Sequence, residues 1–184
     1  LSASEREELA TNIHPLLGTR GVPGTHKIEQ LDHDLTALTR KTLKRPLFIR
    51  RFNKATDNPF PADKWTKISS PPDVIILEGW CVGLNAEPQS ALLAPINQLE
   101  HTEDQNGTWR NYVNNQLSGP YQKVFQRIDR WIMLKAPSFD VVAKWRKEQE
   151  TKLRQSQTVL ANNKIMSEQE IDRFVLFFER LTRV

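Results

Sequence analysis

The feature that most constrains the fold is the segment 73–77, in which Asp73 is followed by the uninterrupted apolar run Val-Ile-Ile-Leu, and then directly by Glu78 and Gly79. Apolar residues in this run are consecutive and largely β-branched, and they do not alternate with polar ones. Such a pattern predicts a strand buried on both faces, as in a parallel sheet that helices cover. A second run, at residues 131–134, predicts another strand of the same kind.

Segments with helical spacing of apolar residues, or with helix-capping residues, surround these runs. We expect helices over about 4–12, 25–42, 109–117 and 138–157, and from Ser167 onward, with capping boxes at Ser4/Glu7 and Ser167/Glu170 and a break at Gly119-Pro120. Residues 47–52 predict a short strand, and the proline-rich stretch 53–72 predicts a long irregular loop. Buried strands that alternate with helices indicate an α/β domain with a largely parallel sheet.

Glu78 stands where ligands bind in such sheets, at the carboxyl end of a strand. An ionised carboxylate at the end of a buried strand would be costly without a partner. The position of Glu78 does not by itself distinguish between two possible partners of its carboxylate. One is Mg²⁺, which prefers oxygen ligands, and the other is an arginine or backbone group of the protein itself.

The composition limits the remaining function classes. The chain has 184 residues, a net charge of +4 and a pI near 9.3, and no apolar run approaches the length of a membrane span. Cys81 is its only cysteine, which excludes a disulfide within the chain. We expect a cytoplasmic protein without a membrane partner. Its basic residues are spread along the chain and match no recognition motif, so a nucleic-acid partner is not expected.

Residues 74–83, Val-Ile-Ile-Leu-Glu-Gly-Trp-Cys-Val-Gly, resemble the signature of the D-glycerate 3-kinase family, a branch of the phosphoribulokinase and uridine kinase group of P-loop kinases. Further stretches agree with that family in order and spacing across essentially the whole chain. They are 14–17 (His-Pro-Leu-Leu), 19–26 (Thr-Arg-Gly-Val-Pro-Gly-Thr-His), 97–100 (Asn-Gln-Leu-Glu), 109–110 (Trp-Arg), 145–150 (Trp-Arg-Lys-Glu-Gln-Glu) and 179–183 (Glu-Arg-Leu-Thr-Arg).

The resemblance implies a single three-layer P-loop kinase-like domain over 1–184 that uses ATP and Mg²⁺ to phosphorylate a small hydroxy acid such as glycerate. It implies a catalytic and metal-binding role for Glu78, and a lid over the ATP phosphates made by Arg146, Gln149 and Lys152. Arg180 and Arg183 are further basic candidates. The implied substrate-binding residues are Arg20, Gly24, Thr25, His26, Lys54, Asp57, Trp80 and Arg110.

The chain also departs from the family pattern. It contains no Gly-x-x-x-x-Gly-Lys-Ser/Thr phosphate loop, which in the family precedes the position of Leu1, and it lacks the family's general base and last strand. We therefore expect a domain that is incomplete at both ends, inactive by itself, and able to self-associate if the central strand is truly absent. Lys27, Asn53 and Asn58 stand where the family usually has aspartate, and Pro59 stands where it has arginine.

These departures leave open the alternative of a degenerate kinase-like protein that binds or regulates without catalysis. A further alternative is a basic nucleic-acid-binding domain, which only the pI and the presence of Trp65, Trp109 and Trp145 favour.

Overall fold

The computed structural model describes residues 1–156 and 166–183. Within these ranges most of the regular structure is helical. The helices are α1 (Ala3–Asn12), α2 (Ile28–Leu38), α3 (Gln98–Glu103), α4 (Thr108–Gln116), α5 (Gln122–Phe125), α6 (Asp140–Ser156) and α7 (Glu168–Thr182). The predicted helices are confirmed, although α2 is shorter at both ends than 25–42. The predicted end of α6 at Gln157 lies outside the described residues.

The N-cap of helix α1 is Ser2, two residues earlier than the predicted cap at Ser4. The Ser2 hydroxyl accepts a hydrogen bond from Glu5 N, and the Glu5 carboxylate accepts one from Ser2 N, which together form a capping box. The prediction of this box at Ser4 and Glu7 is wrong. A 3-10 helix, Pro15–Gly18, follows α1 and leads into the loop at residues 18–26, which contains three glycines and Pro23 and is called the Gly/Pro loop below.

Helix α7 contributes a broad apolar face to the core. Its capping box at Ser167 and Glu170 is confirmed, and the side chains of its predicted stripe are buried or half-buried. Phe177 of the same helix is 1% exposed and meets Trp109 of α4 edge-on, with ring centroids 5.8 Å apart. Each large apolar side chain buried in this way stabilises the fold by roughly 1.5–3 kcal/mol. Helices α4 and α7 therefore pack directly against each other in the core.

The Gly119-Pro120 break lies between α4 and α5, as predicted. The chain there forms a wider turn of helix, Leu117–Tyr121, because the proline ring cannot continue the regular hydrogen-bonding pattern. Leu117 and Tyr121 are both buried at this turn. The break thus points the Tyr121 side chain into the core, beside the Gly/Pro loop.

The strands of the described residues are short and antiparallel. Strand β1 (Leu47–Ile49) pairs with β4 (Thr66–Ile68), and β2 (Phe52–Asn53) pairs with β3 (Asn58–Pro59) in a tight hairpin. The strand predicted at 47–52 is confirmed over β1. The prediction that 53–72 is largely irregular is wrong in part, because β3, β4 and a short 3-10 helix lie within it.

The mostly parallel sheet is not seen in the described residues, and the two predicted buried strands need correction. Residues 73–77 and 131–134 are in no strand ladder, and Ile76 and Leu134 are 86% and 95% exposed. The physical reason is that strand pairing is not local. An apolar β-branched run favours extended backbone, but it becomes a buried strand only when other strands occupy its edges.

A second, smaller apolar cluster joins α6 to α7. Val142 packs there against Ile171 and Val175, and Lys147 Nζ lies 2.8 Å from Asp172 Oδ1. No helix within 1–156 and 166–183 is long and apolar enough to span a membrane.

Candidate active site

The Gly/Pro loop, residues 18–26, is held in a defined shape by its own residues. Thr25 Oγ1 donates to Val22 O at 2.7 Å and accepts from Gly21 N at 2.9 Å. Gly24 has a φ of +92°, and a Cβ there would lie 2.5 Å from Tyr112 Cε1, so only glycine fits. Gly24 and Thr25 are both buried, and they therefore shape the loop rather than offer a side chain to a ligand.

The β2–β3 hairpin docks on this loop through arginines. Arg6, 2% exposed, pairs with the Asp57 carboxylate and donates to Gly18 O at 3.1 Å. Arg20 Nε lies 3.4 Å from the other Asp57 oxygen, and its guanidinium stacks 4.5 Å from the Phe52 ring centroid. The terminal nitrogens of Arg20 make no hydrogen bond to the described residues, and the side chain is half-buried. Arg20 is therefore a cation held in place but open to an anion.

His26 lies at the end of the loop. Its Nδ1 is 2.7 Å from the Tyr121 hydroxyl, which also accepts a hydrogen bond from Gly24 N at 3.0 Å. Desolvation of the enclosed part of the ring, with the charges of the Leu1 amino group, Arg20 and Arg6, lowers the pKa of His26 to about 4. The residue remains exposed elsewhere. His26 is thus a neutral, partly accessible imidazole at neutral pH.

The motif Glu78-Gly79-Trp80-Cys81 reaches the same loop. Cys81 is buried with its Sγ 3.8 Å from Gly21 O, and burial raises the pKa of its thiol to about 12, which makes it unreactive. Trp80 Nε1 donates to Thr182 Oγ1 at 3.0 Å. Glu78 is exposed, and its carboxylate makes no salt bridge or hydrogen bond within the described part of the chain. The arginine or backbone partner that the sequence left open is not found there.

Few of the described side chains are available near Glu78 to ligate a metal ion. Within the described ranges no three His, Cys, Asp or Glu side chains cluster closely enough to hold one. Mg²⁺ commonly binds through one or two carboxylates together with water and substrate phosphates. A single accessible carboxylate such as Glu78 fits that mode of binding and no other.

Three predicted site arginines have partners within the protein. Arg180 is 8% exposed and donates twice to Glu100, at 2.8 and 2.7 Å, and to the carbonyls of Ala91 and Ala94. Arg110, 4% exposed, donates to Asp104 Oδ2 at 2.9 Å and to Leu92 O at 2.7 Å.

Arg183 pairs with Glu179 one turn away at 2.8 Å, and its side chain is 53% exposed. The burial and bonding of Arg110 and Arg180 leave little guanidinium surface for a substrate. The structure does not bring these two arginines into the loop site.

The predicted lid residues lie on α6. Arg146 hydrogen-bonds to Gln149 and Glu150 on its own helix, and its guanidinium lies 5.6 Å from the Phe174 ring centroid. Lys152 is exposed. Among the described residues, no hydrogen bond or ion pair joins Arg146, Gln149 or Lys152 to the Gly/Pro loop, so the prediction of a lid stays a prediction.

Three of the residues that depart from the family pattern, Lys27, Asn53 and Asn58, have bonding partners within the protein. Lys27 pairs with Glu5. Asn53 Oδ1 accepts from Ala55 N at 3.0 Å and closes the hairpin turn. Asn58 Oδ1 accepts from Ala3 N at 3.1 Å, which ties the hairpin to α1. Lys54 is exposed on the same turn.

Arg6 and Tyr121 are site residues that the sequence reasoning missed. Their partners Asp57 and His26 are 51 and 95 residues away in the chain, so no local sequence pattern predicts that Arg6 and Tyr121 belong to the site. For Tyr121, the only signal is its position directly after Gly119-Pro120.

Comparisons with known proteins identify relatives that are named as kinases. No family model matches the chain. It is 28% identical over 187 residues to the uncharacterized kinase mug58 of Schizosaccharomyces pombe, covering 95% of this chain and 62% of that protein. It is 27% identical over 165 residues to the chloroplastic D-glycerate 3-kinase of Arabidopsis thaliana, covering 87% of this chain and 33% of that protein.

Among solved structures, a D-glycerate 3-kinase from Cryptococcus neoformans var. grubii matches with a TM-score of 0.75 at 18% identity. The match covers 98% of this chain and 64% of that one, so the chain spans less than two thirds of the relatives it matches. The fold is therefore that of an α/β kinase. More particularly, the chain resembles the D-glycerate 3-kinase family in sequence and in fold, as its motifs predict.

Proposed function

We propose that the chain is part of an ATP-dependent kinase that transfers the γ-phosphate to a hydroxyl of a small hydroxy acid such as glycerate. The observation that carries this proposal is the convergence of the Gly/Pro loop with the Glu78–Cys81 motif through the contact of Cys81 with Gly21. The names of the relatives support the same class and do not favour a non-catalytic module.

Arg20 and His26 are the proposed acceptor-binding groups. Phosphoryl transfer depends on positioning and on charge neutralisation more than on covalent chemistry. Arg20 has unpaired terminal nitrogens among the described residues, and it can bind the carboxylate of the acid in the forked geometry that arginine favours. Asp57 fixes this arginine through Nε. Lys54 and Trp80 are exposed and are the further proposed acceptor-binding residues.

Glu78 is the proposed ligand of Mg²⁺, directly or through water. When bound, MgATP supplies the transferable phosphoryl group and the metal neutralises part of its charge. The chain's own contribution is the carboxylate of Glu78, which is exposed and has no ion-pair or hydrogen-bond partner among the described residues. It lies three residues before Cys81, which contacts the Gly/Pro loop. Arg146, Gln149 and Lys152 remain the proposed lid over the nucleotide.

The sheet of the working kinase is proposed to be parallel and to include residues 73–77 and 131–134. Ile76, Ile132 and Leu134 are 86%, 90% and 95% exposed, although apolar runs of this kind are normally covered. A further strand that lies between or beside these runs would bury them. We propose that this strand leads into the phosphate loop, which residues 1–184 do not contain.

Binding of D-glycerate to the chain tests the acceptor site, since all its proposed residues lie within the described ranges. We expect a dissociation constant on the order of 1 mM by NMR titration, as for many small metabolites. Arg20→Ala should weaken binding about tenfold or more, because a charge-assisted hydrogen bond contributes about 1.5–3 kcal/mol.

Arg40→Ala is the matched control, because this exposed arginine makes no salt bridge within the described residues. Binding that Arg20→Ala and Arg40→Ala affect equally, or no binding at all, would contradict the assignment of the acceptor site.

A further inference from the structure

The Tyr121 hydroxyl stands between the backbone of the Gly/Pro loop and the ring of His26. It accepts a hydrogen bond from Gly24 N at 3.0 Å and lies 2.7 Å from His26 Nδ1. The residue is 4% exposed, and its ring meets the His26 ring edge-on. The proposed function uses His26 but assigns no role to Tyr121.

Proton counting restricts how these groups can bond. A phenol hydroxyl has one proton to donate, and burial raises the pKa of Tyr121, so the hydroxyl keeps that proton. The Gly24 N–H can only donate, and it occupies one lone pair of the hydroxyl oxygen. Within residues 1–156 and 166–183, His26 Nδ1 is the one hydrogen-bonding partner of this hydroxyl able to accept its proton.

The imidazole must then accept at Nδ1. His26 is neutral at pH 7, because desolvation lowers its pKa to about 4, and a neutral imidazole has one accepting and one donating nitrogen. If Nδ1 accepts from Tyr121, the proton of the ring is on Nε2. Nε2 makes no hydrogen bond to the described residues, and His26 is exposed, so this N–H is free to meet a ligand.

We propose that Tyr121 is a positioning residue that holds His26 as the Nε2–H tautomer, so that the ring presents a neutral N–H donor to an oxygen of the acceptor substrate. The identity of that acceptor rests on the proposed function. In this arrangement His26 binds and orients the substrate, and it does not take the proton from the attacking hydroxyl.

The charge environment is consistent with a donor that stays neutral. Arg20 and Arg6 are the charged side chains that act on the His26 ring, and both disfavour a second positive charge there. A neutral N–H can donate to the substrate without adding to this repulsion, while Arg20 neutralises the carboxylate.

Long-range ¹H–¹⁵N NMR of the histidine rings tests the proposal directly. In the wild-type chain, His26 Nδ1 should resonate as an unprotonated ring nitrogen and Nε2 as a protonated one, with His26→Gln used to assign the signals. Tyr121→Phe keeps the ring and removes the hydroxyl, and it should shift His26 to a mixture of tautomers. Tyr112→Phe is the matched control, because Tyr112 packs near Gly24 without bonding to His26, and it should leave the tautomer unchanged.

Protonated Nδ1 in the wild-type chain, or the same tautomer in Tyr121→Phe as in wild type, would overturn the proposal. The wild-type spectrum is decisive even if Tyr121→Phe does not fold. Addition of D-glycerate should move the Nε2 signal, and Tyr121→Phe should bind it about tenfold more weakly, as expected for one impaired hydrogen bond.

The ligand result separates the two proposals. The expected tautomer without any D-glycerate binding would confirm the role of Tyr121 in fixing the ring and refute the proposed acceptor. D-Glycerate binding that leaves Nε2 unmoved would refute the donor role of His26 while the acceptor site stands.

Discussion

Replacing Arg180 by methionine should destabilise the fold strongly, although the sequence pattern marks this arginine as a candidate ligand group. Its guanidinium joins α7 to Glu100 of α3 and to the carbonyls of Ala91 and Ala94. Glu100 is fully buried, so removal of Arg180 leaves its carboxylate without its counterion in a desolvated site.

The expected magnitude follows from this burial. Loss of one partner of a buried ion pair costs about 3–5 kcal/mol, a large share of the roughly 5–15 kcal/mol that holds a typical domain folded. Arg183→Met is the matched control, because the same residue type one turn later pairs with Glu179 while its side chain is 53% exposed. A pair of that kind contributes only about 0.3–0.5 kcal/mol.

Urea unfolding followed by tryptophan fluorescence measures both variants. The double variant Arg180→Met/Glu100→Met removes both charges, and it should be more stable than Arg180→Met alone, because no unpaired carboxylate remains buried. A loss below about 1 kcal/mol for Arg180→Met, or a loss equal to that of Arg183→Met, would refute the structural role of this pair.

Other predictions concern the loop and the exposed runs. Gly24→Ala should lower the free energy of unfolding by about 1–2 kcal/mol because of the left-handed backbone, and by about a further 1–3 kcal/mol because of overpacking. Urea unfolding measures this loss. Gly18→Ala is the control, because its added Cβ would meet only an ordinary contact at 3.7 Å, and its stability should stay within about 1 kcal/mol of wild type. Ile76→Lys combined with Leu134→Lys should reduce both binding of an apolar dye and self-association in sedimentation, because these side chains are 86% and 95% exposed. Leu93→Lys, at an exposed site outside the two runs, should have a smaller effect, and equal effects would argue against a specific uncovered sheet edge.

The elements that the sequence predicted well are those with local signals. The capping box at Ser167 and Glu170 and the stripe that follows define α7, and Gly119-Pro120 marks the break after α4. The Gly/Pro loop also carries a local signal, because its closely spaced glycines and its proline favour a shaped turn.

The features that the sequence did not predict depend on distant partners. Residues 73–77 have the composition of a buried strand, but pairing needs other strands, and the described residues supply none to them. In the sequence, Arg110 and Arg180 resemble residues that bind a ligand. Only the fold shows that they form ion pairs with Asp104 and Glu100. Basic residues of a motif therefore need their burial and partners examined before a role in binding is assigned.

Phosphoryl transfer itself is the most direct test of the proposed function. The full-length natural protein is incubated with ATP, Mg²⁺ and D-glycerate. ³¹P NMR should then show a new phosphomonoester signal together with the signals of ADP. Glu78→Gln should abolish that signal, and Glu7→Gln, an exposed carboxylate of α1, should retain it. An unchanged ATP spectrum with D-glycerate and related hydroxy acids, or full activity in Glu78→Gln, would contradict the account.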